Sequence, residues 1–183
     1  WIFKPNHGSS GTHNLILNDS DSNEPLLKDY VDKHQSVVAQ RFKDRIHDFG
    51  LQFVFKKNVW EIAGITHYFC DQSGKIQCYF LGITPKEFWE LYLKKSYTFM
   101  MWEQFLNDVT QSIQLFTNNK NIRLPALGID FFLLKELDHI KISSPLEVNF
   151  RYTLGHVALE IEKSFIKKTR GLWIFDKKSN LRD

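Results

Sequence analysis

Short runs of apolar residues, separated by polar and glycine-containing turns, recur along the chain. Runs rich in aromatic and β-branched residues, or with apolar side chains at every second position, are typical of β-strands. The strands predicted in this way are 1–5, 14–17, 36–42, 48–55, 59–70, 75–81, 128–134, 140–150 and, near the end, 172–175. Strands 59–70 and 75–81 form a predicted hairpin, because the polar residues 71–74 between them favour a turn.

Three other stretches follow a helical pattern. Short helices are predicted at about 24–33 and from about residue 156 to 168. Between Pro85 and Asn118 the apolar residues recur every three or four positions, and proline is well accommodated in the first turn of a helix. This stretch predicts one long helix, or two helices separated near Ser96, with most of its aromatic side chains in the core.

The composition sets limits on the class of protein. The 183 residues are 43% hydrophobic and 15% aromatic, which is enough for one buried core or two small lobes. Because 24 basic residues nearly balance 21 acidic ones, the charge does not indicate a nucleic-acid or membrane partner. Cys70 and Cys78 are not predicted cross-strand neighbours, so free thiols in a reducing compartment, and hence a cytoplasmic protein, are expected.

Polar side chains in strands 128–134 and 140–150 form the most distinctive pattern. Asp130 lies in an otherwise apolar strand, where an unpaired carboxylate is costly to bury. Glu147 and Asn149 are two residues apart and therefore point to the same face of their strand. If the strands pair as a hairpin, one face presents two carboxylates and an amide oxygen, which suits a hard cation such as Mg²⁺. The alternative is a strand with ordinary solvent-facing acids, and this stretch alone does not separate the two.

The loop after the first strand is a second candidate site. Two glycines bracket two serines at positions 8–11, and the backbone amides of such a loop can approach phosphate oxygens closely. Lys4, on the strand that leads into the loop, would add a positive charge. The lysine precedes the loop, so the pattern is not a P-loop, and a small-residue turn between strands is the alternative.

Other chemistries have less support in the sequence. Cys70, His67 and Asp71 are close in sequence, but side chains alternate along a strand, and their spacing matches no zinc site or catalytic triad. The C-terminal end, from 163 to 178, is rich in lysine and arginine, which suggests a nucleic-acid-binding domain as one alternative function. A solvated helix face followed by a terminal strand is the simpler interpretation, in agreement with the near-neutral charge.

Four segments occur in an order that resembles the ATP-grasp superfamily, enzymes that activate a carboxylate with ATP and join it to an amine or a similar nucleophile. WIFKPNHGSSG resembles that family's lysine strand and phosphate-covering loop, and SVVAQRFKD resembles its hinge strand. GIDFFLL and PLEVNFR resemble its two metal-binding strands. The resemblance implies an α+β ATP-grasp fold, with antiparallel or mixed sheets packed with helices in two lobes around a nucleotide cleft. It assigns residues 1–43 to the nucleotide-binding lobe and 44–183 to the C-terminal lobe with the metal site.

The resemblance also implies roles for individual residues. Lys4 would contact the nucleotide phosphates, and Arg151 would stabilise charge on the transferring phosphoryl group or the acyl phosphate, so both count as catalytic. Asp130, Glu147 and Asn149 would hold Mg²⁺ against the triphosphate, with Mn²⁺ as a substitute. The remaining residues expected at the nucleotide are Gly8, Ser9, Ser10, Gly11, Gln40, Arg41, Phe42 and Asp48. Asp48 would contact the ribose, although it could instead only end a turn.

The implied function is an ATP- and Mg²⁺-dependent ligase acting on small-molecule carboxylate and amine substrates, with a homo-oligomer allowed and neither nucleic acid nor membrane as a partner. Two departures bear on this. Gly128 stands where many members have a basic residue, and Gln40 replaces a glutamate. The family's substrate-binding domain would precede Trp1, so the chain is expected to be a fragment that works with an N-terminal domain of the same protein. The alternative is a degenerate relative that binds nucleotide, or acts as a scaffold, without turnover.

Overall fold

A computed structural model describes residues 1–6, 13–17, 24–41, 43, 45–71, 74–165 and 170–175. The chain divides into two compact units. The first unit contains residues 1–44, 70–77 and 175–183, and the second contains 45–69 and 78–174. The assignment of 1–43 and 44–183 to a nucleotide lobe and a metal-binding lobe stays a prediction.

The first unit contains a small antiparallel sheet and one helix. Its strands are β1 (Ile2–Pro5), β2 (Leu15–Ile16) and β3 (Val37–Gln40), in the order β2-β1-β3, and its helix is α1 (Glu24–His34). The hydroxyl of Tyr30 in α1 lies 3.1 Å from the carbonyl oxygen of Phe3 and 2.6 Å from that of His13. These contacts attach the helix to the backbone around β1, and the elements agree with the sequence prediction.

The larger sheet has seven strands. They are β4 (Arg45–Lys56), β5 (Val59–Cys70), β6 (Ile76–Leu81), β7 (Ala126–Glu136), β8 (His139–Ile142), β9 (Glu147–Asn149) and β10 (Gly171–Ile174). The order is β10-β6-β5-β4-β7-β8, and β9 also pairs with β7. The two long central strands, β4 and β7, are antiparallel to each other, and β4 is antiparallel to β5.

The predicted helical stretch after Pro85 forms two helices. α2 (Pro85–Phe88) continues into one π-helical segment (Trp89–Leu93), and α3 (Phe99–Asn119) follows after a break. Thr84 and Thr98 cap the two N-termini: Thr84 makes a capping box with Glu87, and Thr98 accepts from the backbone N–H of Met101. The second cap explains why the helical pattern is interrupted near Ser96. The last helix is α4 (Leu154–Phe165).

One face of the central strands forms the hydrophobic core. Phe49, Leu51 and Phe53 alternate along β4, and all three are fully buried. They belong to one cluster with Phe131 of β7 and Trp102 of α3. Alternation of apolar side chains along β4 therefore directs this face of the sheet towards helix α3.

The predicted strand 140–150 is interrupted in the structure. β8 pairs with β7 so that Leu133 is opposite Ile142, whereas β9 pairs with β7 so that Asp130 is opposite Glu147. The two registers differ by two residues, which are accommodated in the segment around Pro145, where a proline cannot donate to a ladder. A continuous hairpin would instead have placed Pro145 opposite Asp130.

The outer edge of β8 is covered by the segment between α2 and α3. The backbone N–H of Ile140 donates to the hydroxyl of Ser96 (2.8 Å), and that of Ile142 donates to the hydroxyl of Tyr97 (3.4 Å). These bonds satisfy edge groups that could otherwise pair with another strand. Within the described residues, none of the helices has the length and apolarity needed to cross a bilayer.

Candidate metal and nucleotide site

The second face of the central strands is polar. Gly50 of β4 lies between Thr66 of β5 on one side and Asp130 of β7 on the other, and Asp130 is in turn opposite Glu147 of β9. Side chains directly opposite each other in an antiparallel ladder share a face. The predicted metal ligands Asp130 and Glu147, and Asn149 two residues further along, are therefore brought together on this polar face.

Asp130 is held through both of its carboxylate oxygens. The hydroxyl of Tyr68 donates to Oδ1 at 3.0 Å, and the side-chain amide of Asn149 donates to Oδ2 at 3.2 Å. Tyr68 is itself 5% exposed, so its hydroxyl is fixed by packing as well as by this bond. Asp130 is thus presented in a fixed orientation, which is what a ligating carboxylate requires.

The surroundings of Asp130 disfavour the negative charge of its carboxylate. Burial raises the pKa of the Asp130 carboxyl to about 6. The Tyr68 hydrogen bond opposes that rise, whereas the negative charges of Glu147 and Asp48 add to it and Arg151 lowers the pKa. An environment that disfavours a third negative charge in this way is one where a bound cation would be stabilised.

Asn149 determines how well the site fits Mg²⁺. Its side-chain oxygen accepts a hydrogen bond from Nη2 of Arg151 at 3.2 Å, while its nitrogen faces Asp130. A half turn of the amide exchanges these atoms and gives two carboxylates and one amide oxygen, a donor set that fits a hard cation. Among the described residues, no group of three or more histidine, cysteine, aspartate or glutamate side chains is placed to hold a metal ion, so the fit depends on this amide.

Asp48 lies on the same polar face but has its own partner. Its Oδ1 is 3.2 Å from Nη1 of Arg45, and the Arg45 guanidinium lies over the ring of Phe132 at 5.0 Å from the centroid. Burial raises the pKa of the Asp48 carboxyl, and Arg45 opposes that rise. Asp48 is only 7% exposed. Its predicted contact with a ribose stays a prediction.

The structure adds four polar residues that the sequence analysis did not single out. They are Gln52, Thr66, Thr153 and His156, which form a chain of hydrogen bonds on the polar face. A signal was present in the sequence: Asp48, Gly50 and Gln52 alternate with Phe49, Leu51 and Phe53, which indicates a strand with one polar and one apolar face.

The other predicted nucleotide contacts belong to the first unit. Lys4 lies in β1 opposite Val38, Gln40 ends β3 opposite Ile2, and the guanidinium of Arg41 lies over the ring of Trp1 at 5.9 Å from the centroid. Lys4 is half-buried, whereas Gln40 and Arg41 are exposed. The remaining predicted contacts lie outside the described residues: Gly8, Ser9, Ser10, Gly11 and Phe42. The roles of all these residues stay predictions.

No protein-family model and no curated protein matches the chain. Solved structures do match. The biotin carboxylase from Campylobacter jejuni, solved as a β-γ-ATP complex, has a TM-score of 0.58 at 11% identity, over 87% of this chain and 33% of that one. The N5-carboxyaminoimidazole synthetase from Staphylococcus aureus, complexed with ADP, has a TM-score of 0.55 at 12% identity, over 87% and 36%.

A third match is the biotin carboxylase domain dimer of the Hydrogenobacter thermophilus 2-oxoglutarate carboxylase, in complex with MgADP, ADP and bicarbonate. Its TM-score is 0.60 at 11% identity, over 87% of this chain and 32% of that one. The chain therefore spans about a third of the length of the proteins it matches. These are ATP-grasp proteins, so the resemblance read from the four motifs is confirmed at the level of fold, together with the α+β class and its antiparallel sheets.

Proposed function

Starting from the ATP-grasp fold, we propose that the chain is part of an ATP- and Mg²⁺-dependent ligase. The enzyme activates a carboxylate as an acyl phosphate, which an amine or a related nucleophile then attacks. The carboxylate oxygen attacks the γ-phosphorus of ATP and ADP leaves; the nucleophile attacks the acyl carbon and phosphate leaves. Both steps bring anions together, so positioning and charge neutralisation supply most of the catalysis.

The observation that carries the proposal is the register between β7 and β9. It places Asp130 directly opposite Glu147, with Asn149 donating to Asp130 on the same face. Without the two-residue shift near Pro145, these side chains would not be opposite each other. An interruption that brings two carboxylates together at an energetic cost is better explained by a ligand than by stability.

Each residue has a defined task in this proposal. Asp130, Glu147 and Asn149 would hold Mg²⁺, which when bound would neutralise charge on the phosphate oxygens. Arg151 is exposed and hydrogen-bonded to Asn149, so its guanidinium is available to an anionic group next to the metal ligands. Lys4 would add a positive charge at the phosphates.

The proteins of similar fold support a nucleotide and an anionic substrate. Their structures contain ADP, MgADP or a β-γ-ATP complex, and one also contains bicarbonate. At 11–12% identity the likeness extends to the fold, so the substrates of this chain are inferred from its own site. The donor set at Asp130 is the part of that site that favours a nucleotide with Mg²⁺.

A second function, nucleotide binding without turnover, is favoured by one observation. Asn149 directs its amide nitrogen, and not its oxygen, towards Asp130, so only two carboxylates face a cation in this conformation. A scaffold or sensor would need nothing more than weak Mg²⁺-assisted binding. The two functions differ in whether ADP is released when substrates are added.

Calorimetric titration of the 183-residue chain with ADP, with and without Mg²⁺, tests the proposal. We expect Mg²⁺ to tighten binding about tenfold or more, and Glu147→Ala to remove this gain, because one of two carboxylates is lost. Glu61→Ala, an exposed glutamate on β5, is the matched control and should bind like the wild type.

Two results would count against the proposal. Equal ADP affinity with and without Mg²⁺ would contradict the metal site. If Mg²⁺-dependent binding is found but ATP is not consumed with any carboxylate–amine pair tested, nucleotide binding without turnover is the better description.

A further inference from the structure

The polar face carries a buried chain of hydrogen bonds that the proposed mechanism does not use. It begins at Thr66 and Gln52, which are 3% and 2% exposed, and continues to Thr153 and His156. Buried side-chain amides and hydroxyls are costly unless every donor and acceptor is paired. The pairing requirement therefore determines which atom donates and which accepts in each of these hydrogen bonds.

The donor and acceptor of each hydrogen bond in this network follow from its one backbone donor, the N–H of Thr153. The N–H of Thr153 donates to Nδ1 of His156 at 3.1 Å, so this nitrogen is an acceptor and the ring proton is on Nε2. Nε2 then donates to the carbonyl oxygen of Phe53 at 3.1 Å. Because Nδ1 already has a donor, the single hydroxyl proton of Thr153 goes to Oε1 of Gln52, at 2.7 Å.

The amide of Gln52 is fixed by the same logic. Its oxygen accepts from Thr153, so its nitrogen donates to the hydroxyl of Thr66 at 3.0 Å, and that hydroxyl lies 3.3 Å from the carbonyl oxygen of Gly50. If the amide were reversed, the Thr66 hydroxyl would have to leave the carbonyl oxygen of Gly50 in order to donate to the amide oxygen. The Thr153 hydroxyl proton would then have only Nδ1 of His156 to meet, which already accepts from a backbone N–H. Gln52 therefore has one orientation, and Thr153 is held by it.

This contact spans β7 at a glycine. Gln52 of β4 is opposite Gly128, and Gly128 is opposite Asn149 of β9. A Cβ added to Gly128 would lie 2.7 Å from Oε1 of Gln52 and 2.8 Å from Cγ2 of Thr153. The absence of a side chain at Gly128 thus leaves the space in which Gln52 reaches Thr153.

Thr153 ends the short segment that carries Arg151. Between β9 and α4, the backbone bond that involves Arg151 runs from its N–H to the carbonyl oxygen of Asn149 at 2.8 Å. Phe150 stacks on Phe116 of α3, with centroids 5.9 Å apart. The beginning of the segment is held by the β7–β9 ladder, and its end is held by the bond between Thr153 and Gln52.

We propose that Gln52 and Thr153 are positioning residues for Arg151. Their hydrogen bond, the Gln52–Thr153 clamp, fixes the end of the 149–153 segment so that the Arg151 guanidinium stays beside Asn149 and the metal ligands. The inference rests on the proposed function, because it gives Arg151 an anionic group to meet there. Under this inference, anion binding at Arg151 depends on the buried side-chain amide of Gln52 on β4, although that amide does not contact the phosphates.

A double-variant experiment tests the clamp, with the affinity for ADP in the presence of Mg²⁺ as the readout. Thr153→Val removes the donor and leaves Oε1 of Gln52 unpaired, whereas Thr153→Ser keeps the hydroxyl. We expect Thr153→Val to weaken binding about fivefold to tenfold and Thr153→Ser to restore it to within about twofold. Arg151→Ala should weaken binding by about tenfold, as expected for one lost charge-assisted contact.

The combination of Thr153→Val with Arg151→Ala distinguishes positioning from general destabilisation. If Thr153 acts through Arg151, the double variant binds no more weakly than Arg151→Ala alone, within about twofold, because the two changes remove one effect. Circular dichroism at the titration temperature must show that each variant is folded. If Thr153→Val does not fold, Gln52→Met, which keeps the chain length and removes the acceptor, replaces it in the same cycle.

The possible outcomes separate this inference from the proposed function. A wild-type chain without Mg²⁺-dependent ADP binding would overturn the proposed function. If the wild type binds and Arg151→Ala binds more weakly, an unchanged affinity in Thr153→Val overturns the clamp. Additive losses in the double variant also overturn it, since they would mean that Thr153 acts independently of Arg151.

Discussion

The two faces of the central sheet are made by neighbouring residues with opposite tasks. Phe131, which is 1% exposed, packs in the core cluster, while Asp130 beside it points to the polar face and is held by Tyr68. The apolar face is stabilised mainly by the burial of uncharged side chains. On the polar face, burial raises the pKa of Asp130, and the charges of Glu147 and Asp48 add to that rise. One face therefore maintains the fold, and the other stores unfavourable charge that a ligand can relieve.

Each face also contains titratable groups whose pKa values are shifted by burial, and the shifts on the two faces have opposite signs. Burial raises the pKa of Asp130 to about 6 on the polar face. Burial lowers the pKa of His47 to about 4 and that of His67 to about 3, with His47 lowering the pKa of His67 further. These histidines lie among Phe80, Phe88 and Tyr92, on the apolar side. Acid should therefore affect the two faces differently.

The largest expected effect comes from truncating the apolar face. Phe131→Ala should lower the free energy of unfolding by about 3–5 kcal/mol, because a fully buried ring leaves a cavity among Phe49, Phe105 and other core side chains. Urea unfolding followed by circular dichroism measures this loss. Phe69→Ala, a side chain that is 55% exposed, is the control and should change stability by less than about 1 kcal/mol. Equal losses in the two variants would contradict the assignment of the core face.

A smaller and opposite effect is expected on the polar face. Asp130→Asn should raise the free energy of unfolding at pH 7.5 by about 2 kcal/mol and abolish the Mg²⁺ dependence of nucleotide binding. The folded-state pKa of Asp130 is raised above its unfolded value of 3.8, so its contribution is lost as pH rises from about 4 to 6, and an uncharged amide avoids that loss. The gain should therefore be small at pH 4 and complete above pH 7.

Urea unfolding at several pH values measures this difference. Asp138→Asn, at an exposed position in the turn between β7 and β8, is the control and should leave stability unchanged at each pH. Destabilisation by Asp130→Asn at pH 7.5 would show that the carboxylate is a structural partner in the folded state, and would remove the argument for stored negative charge.

Much of this arrangement can be predicted from the sequence, because it follows from local patterns. Alternation along β4 indicates both faces, and the spacing of Glu147 and Asn149 places them on one side of a strand. The proline in the first turn and the helical periodicity identify the helices before their packing is known. The order of the four motifs predicts the fold, because each motif is a short local segment of the sequence.

The partners of the site residues could not be predicted in this way. The hydrogen bond from Tyr68 to Asp130 depends on which strands are adjacent and in what register they pair. The two residues are 62 positions apart in the sequence, so no local pattern connects them. The interruption near Pro145 changes the register by two residues, whereas the sequence pattern predicts one continuous strand over 140–150. Gln52 and Thr153, 101 residues apart, meet only after both features are in place. Long-range register is set by tertiary packing, which local patterns do not encode.

The buried histidines should make the apolar face sensitive to acid. Nε2 of His47 lies 3.3 Å from Nδ1 of His67, and, among the described residues, Nε2 of His67 is one of two buried side-chain atoms without a hydrogen-bond partner. The lowered pKa values mean that the unfolded chain binds protons below about pH 6.5 before the folded chain does, so stability falls as pH falls towards 4. At pH 5 this costs about 2 kcal/mol for each histidine.

His67→Leu tests this acid sensitivity. We expect the loss of stability between pH 7.5 and pH 5.0 to be about 2 kcal/mol smaller than in the wild type, because the variant lacks one of the two histidines whose pKa values are lowered in the folded state. Urea midpoints at the two pH values give the comparison, and His139→Gln, an exposed residue, is the control. An unchanged acid-induced loss in His67→Leu would mean that the pair does not stay neutral in the folded state.

The smallest expected change in stability separates the roles of the two faces most clearly. Tyr68→Phe removes the hydroxyl that donates to Asp130 and preserves the ring packed against Tyr79, so the free energy of unfolding should fall by only about 1 kcal/mol. The affinity for ADP with Mg²⁺ should fall about fivefold, because the carboxylate loses the donor that orients it and its pKa rises further.

Tyr92→Phe is the matched control, since Tyr92 stacks on His47 on the apolar face. The free energy of unfolding of Tyr92→Phe is expected to change by a similarly small amount, while its affinity for ADP with Mg²⁺ stays at the wild-type level. Calorimetric titration and urea unfolding of the same preparations give both quantities. If the two tyrosine variants lose affinity equally, the loss reflects general destabilisation of the protein. The assignment of ligand binding to the polar face and of stability to the apolar face would then be wrong. If only Tyr68→Phe loses affinity, one hydroxyl on the polar face affects ligand binding out of proportion to its effect on the fold.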